Sequence, residues 1–416
     1  MNKTQHTAFY IGHDGDKEWL LQQLAAGNKL NELMHLNELK GEIFSNTTLQ
    51  YFIDEELRHD HFEIIAGKNN KLAASSSGEQ RKALLTYIID KRPGYIIIDS
   101  LFESLDKDAR QSISSLLHKV AGHTLIIQLF NRKHELLPFI DDVYTLGLRS
   151  LTGPQSRNQF LAHVELQQEP MFVATVPPPL TRYILYDEPL IRMNNVNVQF
   201  NEKPVLQNIC WEINAGEFWQ LTGPNGSGKS TLLALITGNS PKGYGQDLWL
   251  FGHHKGSGES VWDIKQKMGY FAPAMTMHFE RLDSIEQMII SGFFDSVGLY
   301  IKPTDGQVRL ARQWLSLIGM DKEKHRPFRF FSQAHQRMIL IARAMVKHPP
   351  LLILDEPTAG LDDDMAALFA GLINKIGAET NTAILYVSHM EEKGLVPEKI
   401  FALVPSENGS IGRVAK

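Results

Sequence analysis

The sequence predicts an α/β fold built twice in tandem, with mainly parallel strands joined by crossover helices. Three observations carry this. Short apolar runs alternate with helical periodicity through residues 1–150, and the alternation restarts on a larger scale from about Leu190. A glycine-rich segment in the second half lies between an apolar strand and a helix. Two landmarks also recur at one spacing. Ser332 precedes Asp355 by 23 residues, and Ser76 precedes Asp99 by the same 23. A Leu-Asp pair ends seven residues after each aspartate, at Asp362 and Asp106. Equal spacings in otherwise different sequence imply that one unit was duplicated.

In the first half, residues 8–12, 95–99 and 124–129 read as strands, and 79–91 and 106–121 carry helical periodicity. A linker is expected over 151–189, where Val176-Pro177-Pro178-Pro179 marks a stiff, extended stretch. The second half, 190–416, has strands at 209–213, 218–222, 351–354 and 383–387, with a helix at 231–237 after the glycine-rich segment. Cys210 falls in the 209–213 pattern and reads as a packing residue.

Composition narrows the function classes. Apolar residues make up 43% and charged residues 21%, as in a soluble globular protein. A net charge of -5 argues against a generally basic nucleic-acid binder, and no sequence-specific nucleic acid is expected as a partner. One cysteine excludes an intramolecular disulfide and points to a reducing compartment. The amino-terminal stretch has no signal-peptide core, and no apolar run approaches the roughly 20 residues a spanning helix needs. A cytoplasmic protein is expected, meeting the inner face of a membrane only through a partner.

The segment Gly223-Pro224-Asn225-Gly226-Ser227-Gly228-Lys229-Ser230 fits G-x-x-x-x-G-K-[ST], in the strand–loop–helix context that gives the pattern meaning. A chain that wraps a polyphosphate with its own N–H groups needs glycine where backbone meets ligand. The helix opening at Ser230-Thr231 adds unpaired N–H groups and a partial positive charge. Lys229 is expected to reach the β- and γ-phosphates and Ser230 to ligate Mg²⁺. The strand at 351–354 runs into Asp355-Glu356. An aspartate there can hold Mg²⁺ beside the cradle, and Glu356 can orient or deprotonate the attacking water. The strand at 383–387 runs into Ser388-His389, and His389 is placed to contact the γ-phosphate.

Together Gly223–Ser230, the LLILDEP run at 351–357, Gly360-Leu361-Asp362 and Ser388-His389 resemble the Walker A, Walker B, D-loop and H-loop of the ATP-binding cassette (ABC) ATPases, a P-loop NTPase family. The match covers roughly 190–405. Gly256-Ser257-Gly258-Glu259, Trp262-Asp263-Ile264-Lys265, the SGFFDS run at 291–296 and Val346-Lys347-His348-Pro349 are similar to one tandem-cassette branch of it. The resemblance implies ATP as ligand and substrate, Mg²⁺ as cofactor, and head-to-tail pairing of two cassettes. ATP then lies between one Walker A and the other cassette's signature. It also implies that Phe200 stacks on adenine, and it admits a membrane transporter subunit or another protein as partner.

The family pattern breaks in both halves. The second cassette's signature position reads Phe331-Ser332-Gln333-Ala334-His335, without either glycine, and Pro273 stands where the family's glutamine follows the strand at 269–271. The first cassette keeps a usable signature at Ser76-Ser77-Gly78-Glu79. Its Asp99, however, is followed by Ser100 rather than glutamate, its H-loop position holds Asn131, and residues 12–18 are a Walker A relic one residue short. Only 64 residues separate Gly12 from Ser76, against 109 from Gly223 to Ser332, so the first cassette is truncated. The defects pair up. Head-to-tail docking would set the good Walker motifs against the good signature at 76–79, giving one competent site and one dead one. The expected function is ATP hydrolysis at that composite site. The alternatives are an ATP-gated binding protein with negligible turnover and a ribosome-associated tandem-cassette factor. The last usually has a long charged linker and two intact signatures, both missing here.

Overall fold

The computed structural model describes residues 5–25, 36, 39–59, 62–65, 71–102, 105–162, 172–181, 183, 188–279, 282–389 and 392–415. The chain divides into two compact units: residues 1–168 with 360–366, and residues 169–359 with 367–416.

The first unit runs β1 (Thr7–Ile11), α1 (Lys17–Ala25), β2 (Gly41–Phe44), α2 (Asn46–His59), α3 (Ser77–Asp90), β3 (Tyr95–Asp99), α4 (Lys107–Val120), β4 (Leu125–Phe130), β5 (Asp142–Leu146), β6 (Leu151–Ser156) and α5 (Arg157–Ala162). Its sheet has the order β2-β3-β4-β1-β5-β6, parallel except for β6. Strand β3 shows why its sequence lacks alternation. Ile96 and Ile98 enter one core layer and Ile97 the other, so both faces need apolar residues. Residues 151–162, assigned to the linker on sequence grounds, instead complete this unit. β6 pairs antiparallel with β5, and Phe160 of α5 packs on Tyr10 and Phe130. The LTGPQS sequence of β6 hid it, because glycine weakens a strand and proline is largely confined to edge strands.

The second unit runs β7 (Ile191–Phe200), β8 (Lys203–Ile213), β9 (Phe218–Thr222), α6 (Lys229–Ile236), β10 (Asp247–Leu250), β11 (His253–His254), α7 (Val261–Gln266), β12 (Met268–Phe271), α8 (Ile285–Ser291), α9 (Asp305–Leu317), α10 (Gln333–Met345), β13 (Leu351–Asp355), α11 (Asp363–Glu379), β14 (Ala383–Val387), β15 (Lys399–Val404) and β16 (Ile411–Ala415). One sheet is antiparallel, β11-β10-β7-β8; the other has the order β12-β13-β14-β9-β15-β16. That second order repeats the first unit's sheet strand for strand.

The repeat extends to side chains. Arg81 and Arg337, each five residues after its signature serine, donate to carbonyls of the loop beyond the aspartate strand. Arg81 Nη1 reaches Ser100 O (2.7 Å) and Leu101 O (3.1 Å); Arg337 Nη1 reaches Pro357 O (3.1 Å) and Ala359 O (2.5 Å). Ser100 and Glu356 share a left-handed backbone, at φ 54° and 47°. Asp106 and Asp362 accept from the N–H groups of Ala109 and Met365, capping the helices that follow. The serine-to-aspartate spacing seen in the sequence is thus one helix, its connection and one strand, with a buried arginine joining the helix start to the loop after the strand. Among the described residues the first unit has no counterpart of the antiparallel sheet.

The extended stretch at 172–181 belongs to the second unit. Val176 N donates to Glu379 Oε2 (2.7 Å), and beyond it Tyr183 Oη donates to Gln266 O (2.9 Å). Cys210, read as a packing residue, is exposed on β8. Among the described residues no helix is long and apolar enough to cross a membrane.

Candidate nucleotide site

The cradle residues lie in the second unit, at the carboxyl ends of β9, β13 and β14. After β9 the chain turns through 223–228 into α6. Gly223 adopts φ 151°, and a Cβ there would lie 2.7 Å from Ser227 Oγ and 2.8 Å from Leu403 O. Gly228 adopts φ 92°, and a Cβ would lie 2.8 Å from Leu206 Cδ2. Both positions therefore demand glycine twice over, for backbone hand and for room. Gly226 also has a left-handed backbone, with open space around it. Ser227 Oγ is buried without a hydrogen-bond partner. Lys229 Nζ bends back onto the loop, donating to Gly223 O (2.7 Å) and Pro224 O (3.1 Å). Pro224, Asn225, Ser230 and Thr231 complete the loop and the first turn of α6.

Phe200 closes β7. A two-residue turn, Asn201-Glu202 at φ 47° and 64°, pairs it with Lys203. Its ring is 46% exposed, with Lys242 Nζ 5.7 Å from the centroid. It is not a core residue.

Strands β13 and β14 pair with Asp355 opposite Val387, so the residues that follow are neighbours. His389 Nδ1 lies 3.2 Å from Glu356 Oε1. That hydrogen bond is the main cause holding the Glu356 carboxyl below its usual range, against the opposing effect of burial. Asp355 goes the other way. Burial, then the neighbouring Glu356, pushes it up to about 6. Ser230 and Asp355 line one cavity of about 440 Å³. A hydroxyl and a carboxylate are hard oxygen donors of the kind Mg²⁺ takes, and at Asp355 burial and the neighbouring Glu356 outweigh the opposing charge of Lys229. The donor set fits the metal.

A stability consequence follows. With a folded pKa of about 6 against an ordinary 3.8, Asp355 binds more protons folded than unfolded between those pH values. Its contribution to stability therefore falls as pH rises through that window. At neutral pH the nucleotide-free fold carries a cost on the order of 2 kcal/mol, allowing for partial solvation. Asp355→Asn is expected to raise the melting temperature of nucleotide-free protein at pH 7 and to abolish Mg²⁺-dependent stabilisation by ATP. Thermal melts with and without Mg-ATP check both; an unchanged Mg²⁺ response would remove Asp355 from the metal site.

The signature candidates lie in the first unit. Ser76 caps α3; its Oγ and N–H donate to Glu79 Oε2 at 2.8 and 2.9 Å, while Glu79 N donates to Ser76 Oγ. Ser76 and Glu79 are exposed; Ser77 and Gly78 are half-buried. Gly78 faces α4, where a Cβ would meet that of Ala109 at 3.1 Å. Lys17 Nζ pairs with Asp99 Oδ1 at 2.6 Å, and Ser100 Oγ donates to the same oxygen at 2.9 Å. In the second unit's degenerate signature, Ser332 Oγ is 2.7 Å from His335 Nδ1. Sequence reasoning overlooked Tyr270, whose hydroxyl approaches Asp355. Its signal was position: a hydroxyl near the carboxyl end of the strand beside the aspartate strand.

A phosphate-binding loop between strand and helix, followed by Asp-Glu and Ser-His at the ends of neighbouring strands, defines an ATP-binding cassette. The family description "ABC transporter" matches residues 206–359. The chain is 39% identical to the ABC transporter ATP-binding protein ModF of Escherichia coli (strain K12), over 80% of this chain and 70% of that protein. It is 30% identical to an uncharacterised ABC transporter ATP-binding protein of Schizosaccharomyces pombe, over 76% of this chain and 65% of that one. The chain belongs to the ABC transporter ATP-binding family and is ModF-like. Among solved structures, the archaeal ribosome recycling factor aABCE1, in complex with stalk protein aP1, aligns with TM-score 0.61. It is 13% identical, over 99% of this chain and 85% of its own, a likeness of fold alone.

Proposed function

We propose that the chain binds Mg-ATP at 223–231 and hydrolyses it, with residues 76–79 of the first unit completing the site. The observation that supports hydrolysis is the Glu356–His389 contact next to Asp355. It supplies an ionised carboxylate, oriented by an imidazole, beside a metal-binding carboxylate. Glu356 orients a water and takes its proton as the water oxygen bonds to the γ-phosphorus. The bond to the β–γ bridging oxygen breaks, giving ADP and phosphate. Lys229 and the loop N–H groups balance charge on the transferred group. Ser230 and Asp355 would hold Mg²⁺, which neutralises β- and γ-oxygens when bound. Phe200 stacks on adenine. The ModF-like family membership supports a membrane transporter subunit as partner. Loss of the signature glycines at 333–334 and of glutamine at 273 favours a second reading, ATP-gated binding with little turnover. Lys229→Ala is expected to weaken Mg-ATP binding roughly 10- to 100-fold, the worth of a charged hydrogen bond. Equal affinity in a fluorescent-nucleotide titration would refute the cradle.

A further inference from the structure

Among the described residues, the Asp355 carboxylate takes one side-chain hydrogen bond, from Tyr270 Oη to Oδ2 at 3.5 Å. Tyr270 stands on β12, in register with Ile353 two residues before Asp355. It lines the same cavity as Ser230 and Asp355. The family's glutamine, expected three residues later, is replaced by Pro273, which opens a short 3₁₀ turn over Pro273–His278 and has no side-chain donor. Position 273 therefore offers no side-chain amide, and a phenol approaches the carboxylate from the preceding strand.

The first unit provides an internal comparison. There β2 lies beside β3 as β12 lies beside β13, and Ile43 pairs with Ile97, two residues before Asp99. Ile43 thus occupies the place of Tyr270 and has no hydroxyl. Asp99 is held instead by Lys17. The hydroxyl is present in the unit that has Glu356 and His389, and absent in the unit where Ser100 and Asn131 replace them.

We propose that Tyr270 is a positioning residue for the metal-binding carboxylate. Its hydroxyl donates to Oδ2 and fixes the rotation of the Asp355 side chain. This is the part an outer-shell partner plays in a metal site.

This inference rests on the proposed Mg-ATP site, and its test separates the two. Mg²⁺ is titrated against a fixed concentration of fluorescent ATP for wild type and Tyr270→Phe, with nucleotide affinity in EDTA and melting temperature measured alongside. Tyr270→Phe should raise the half-saturating Mg²⁺ concentration about tenfold or more. Affinity in EDTA and melting temperature should be unchanged. Tyr270→His, which keeps a ring donor, should lie closer to wild type than phenylalanine does. A half-saturation within twofold of wild type in Tyr270→Phe would overturn the role of Tyr270. Nucleotide binding indifferent to Mg²⁺ in the wild type would overturn the site itself.

Discussion

Glu356→Gln is expected to lower steady-state ATP turnover by about 100- to 10,000-fold, the range for loss of a general base, while leaving ATP binding intact. The substitution keeps size and shape, and an amide oxygen can still meet His389 across the 3.2 Å contact. What it removes is the charge that the imidazole holds in place. With hydrolysis blocked and ATP bound, the variant should accumulate in its ATP-loaded form. Affinity capture with that variant therefore also tests for a partner: recovery of a membrane protein would support the transporter link, and recovery of ribosomal RNA would favour a translation role. Turnover close to wild type would show that another group activates the water, and Glu356 would lose its role. Undetectable turnover in both proteins, with normal binding, would instead favour the ATP-gated reading.

The parts of the fold that announce themselves in sequence are those whose physics is local. Leu351–Asp355 reads as a buried strand because both faces need apolar side chains and the polar residues come only at its end. The loop at 223–228 reads as a cradle because its turns require glycine. The duplication is legible through spacing, since each serine-to-aspartate interval spans one helix and one strand. What stayed hidden depends on neighbours remote in sequence. The edge strand Leu151–Ser156 has no apolar period and exists because β5 offers it a ladder. The extended stretch near Pro177 looks like a free linker, but Val176 is hydrogen-bonded to Glu379, 203 residues away. Tyr270 carries no motif at all. Its significance comes from parallel pairing with β13, which places a hydroxyl beside a carboxylate 85 residues later. Lys17 reads as the relic of a phosphate ligand; only the fold shows that its partner is Asp99.

Ser76→Asp is expected to lower turnover by roughly 100-fold or more, about what removing one stabilising donor costs when charge develops on a phosphoryl group. Aspartate is as good a helix cap as serine, so α3 should keep its stability. The change therefore isolates charge: a carboxylate replaces a hydroxyl where the proposed composite site brings 76–79 to the γ-phosphate. The matching change at Ser332 is the control. Ser332 caps α10 as Ser76 caps α3, so Ser332→Asp alters the same local structure. If the second signature serves a dead site, that variant should turn over ATP within a fewfold of wild type. The contrast between the two serines is what the composite site demands. A symmetric pairing of two second units would reverse it, with Ser332→Asp damaging and Ser76→Asp silent. Equal damage from both would mean that each signature faces a working cradle, against the reading of one competent site.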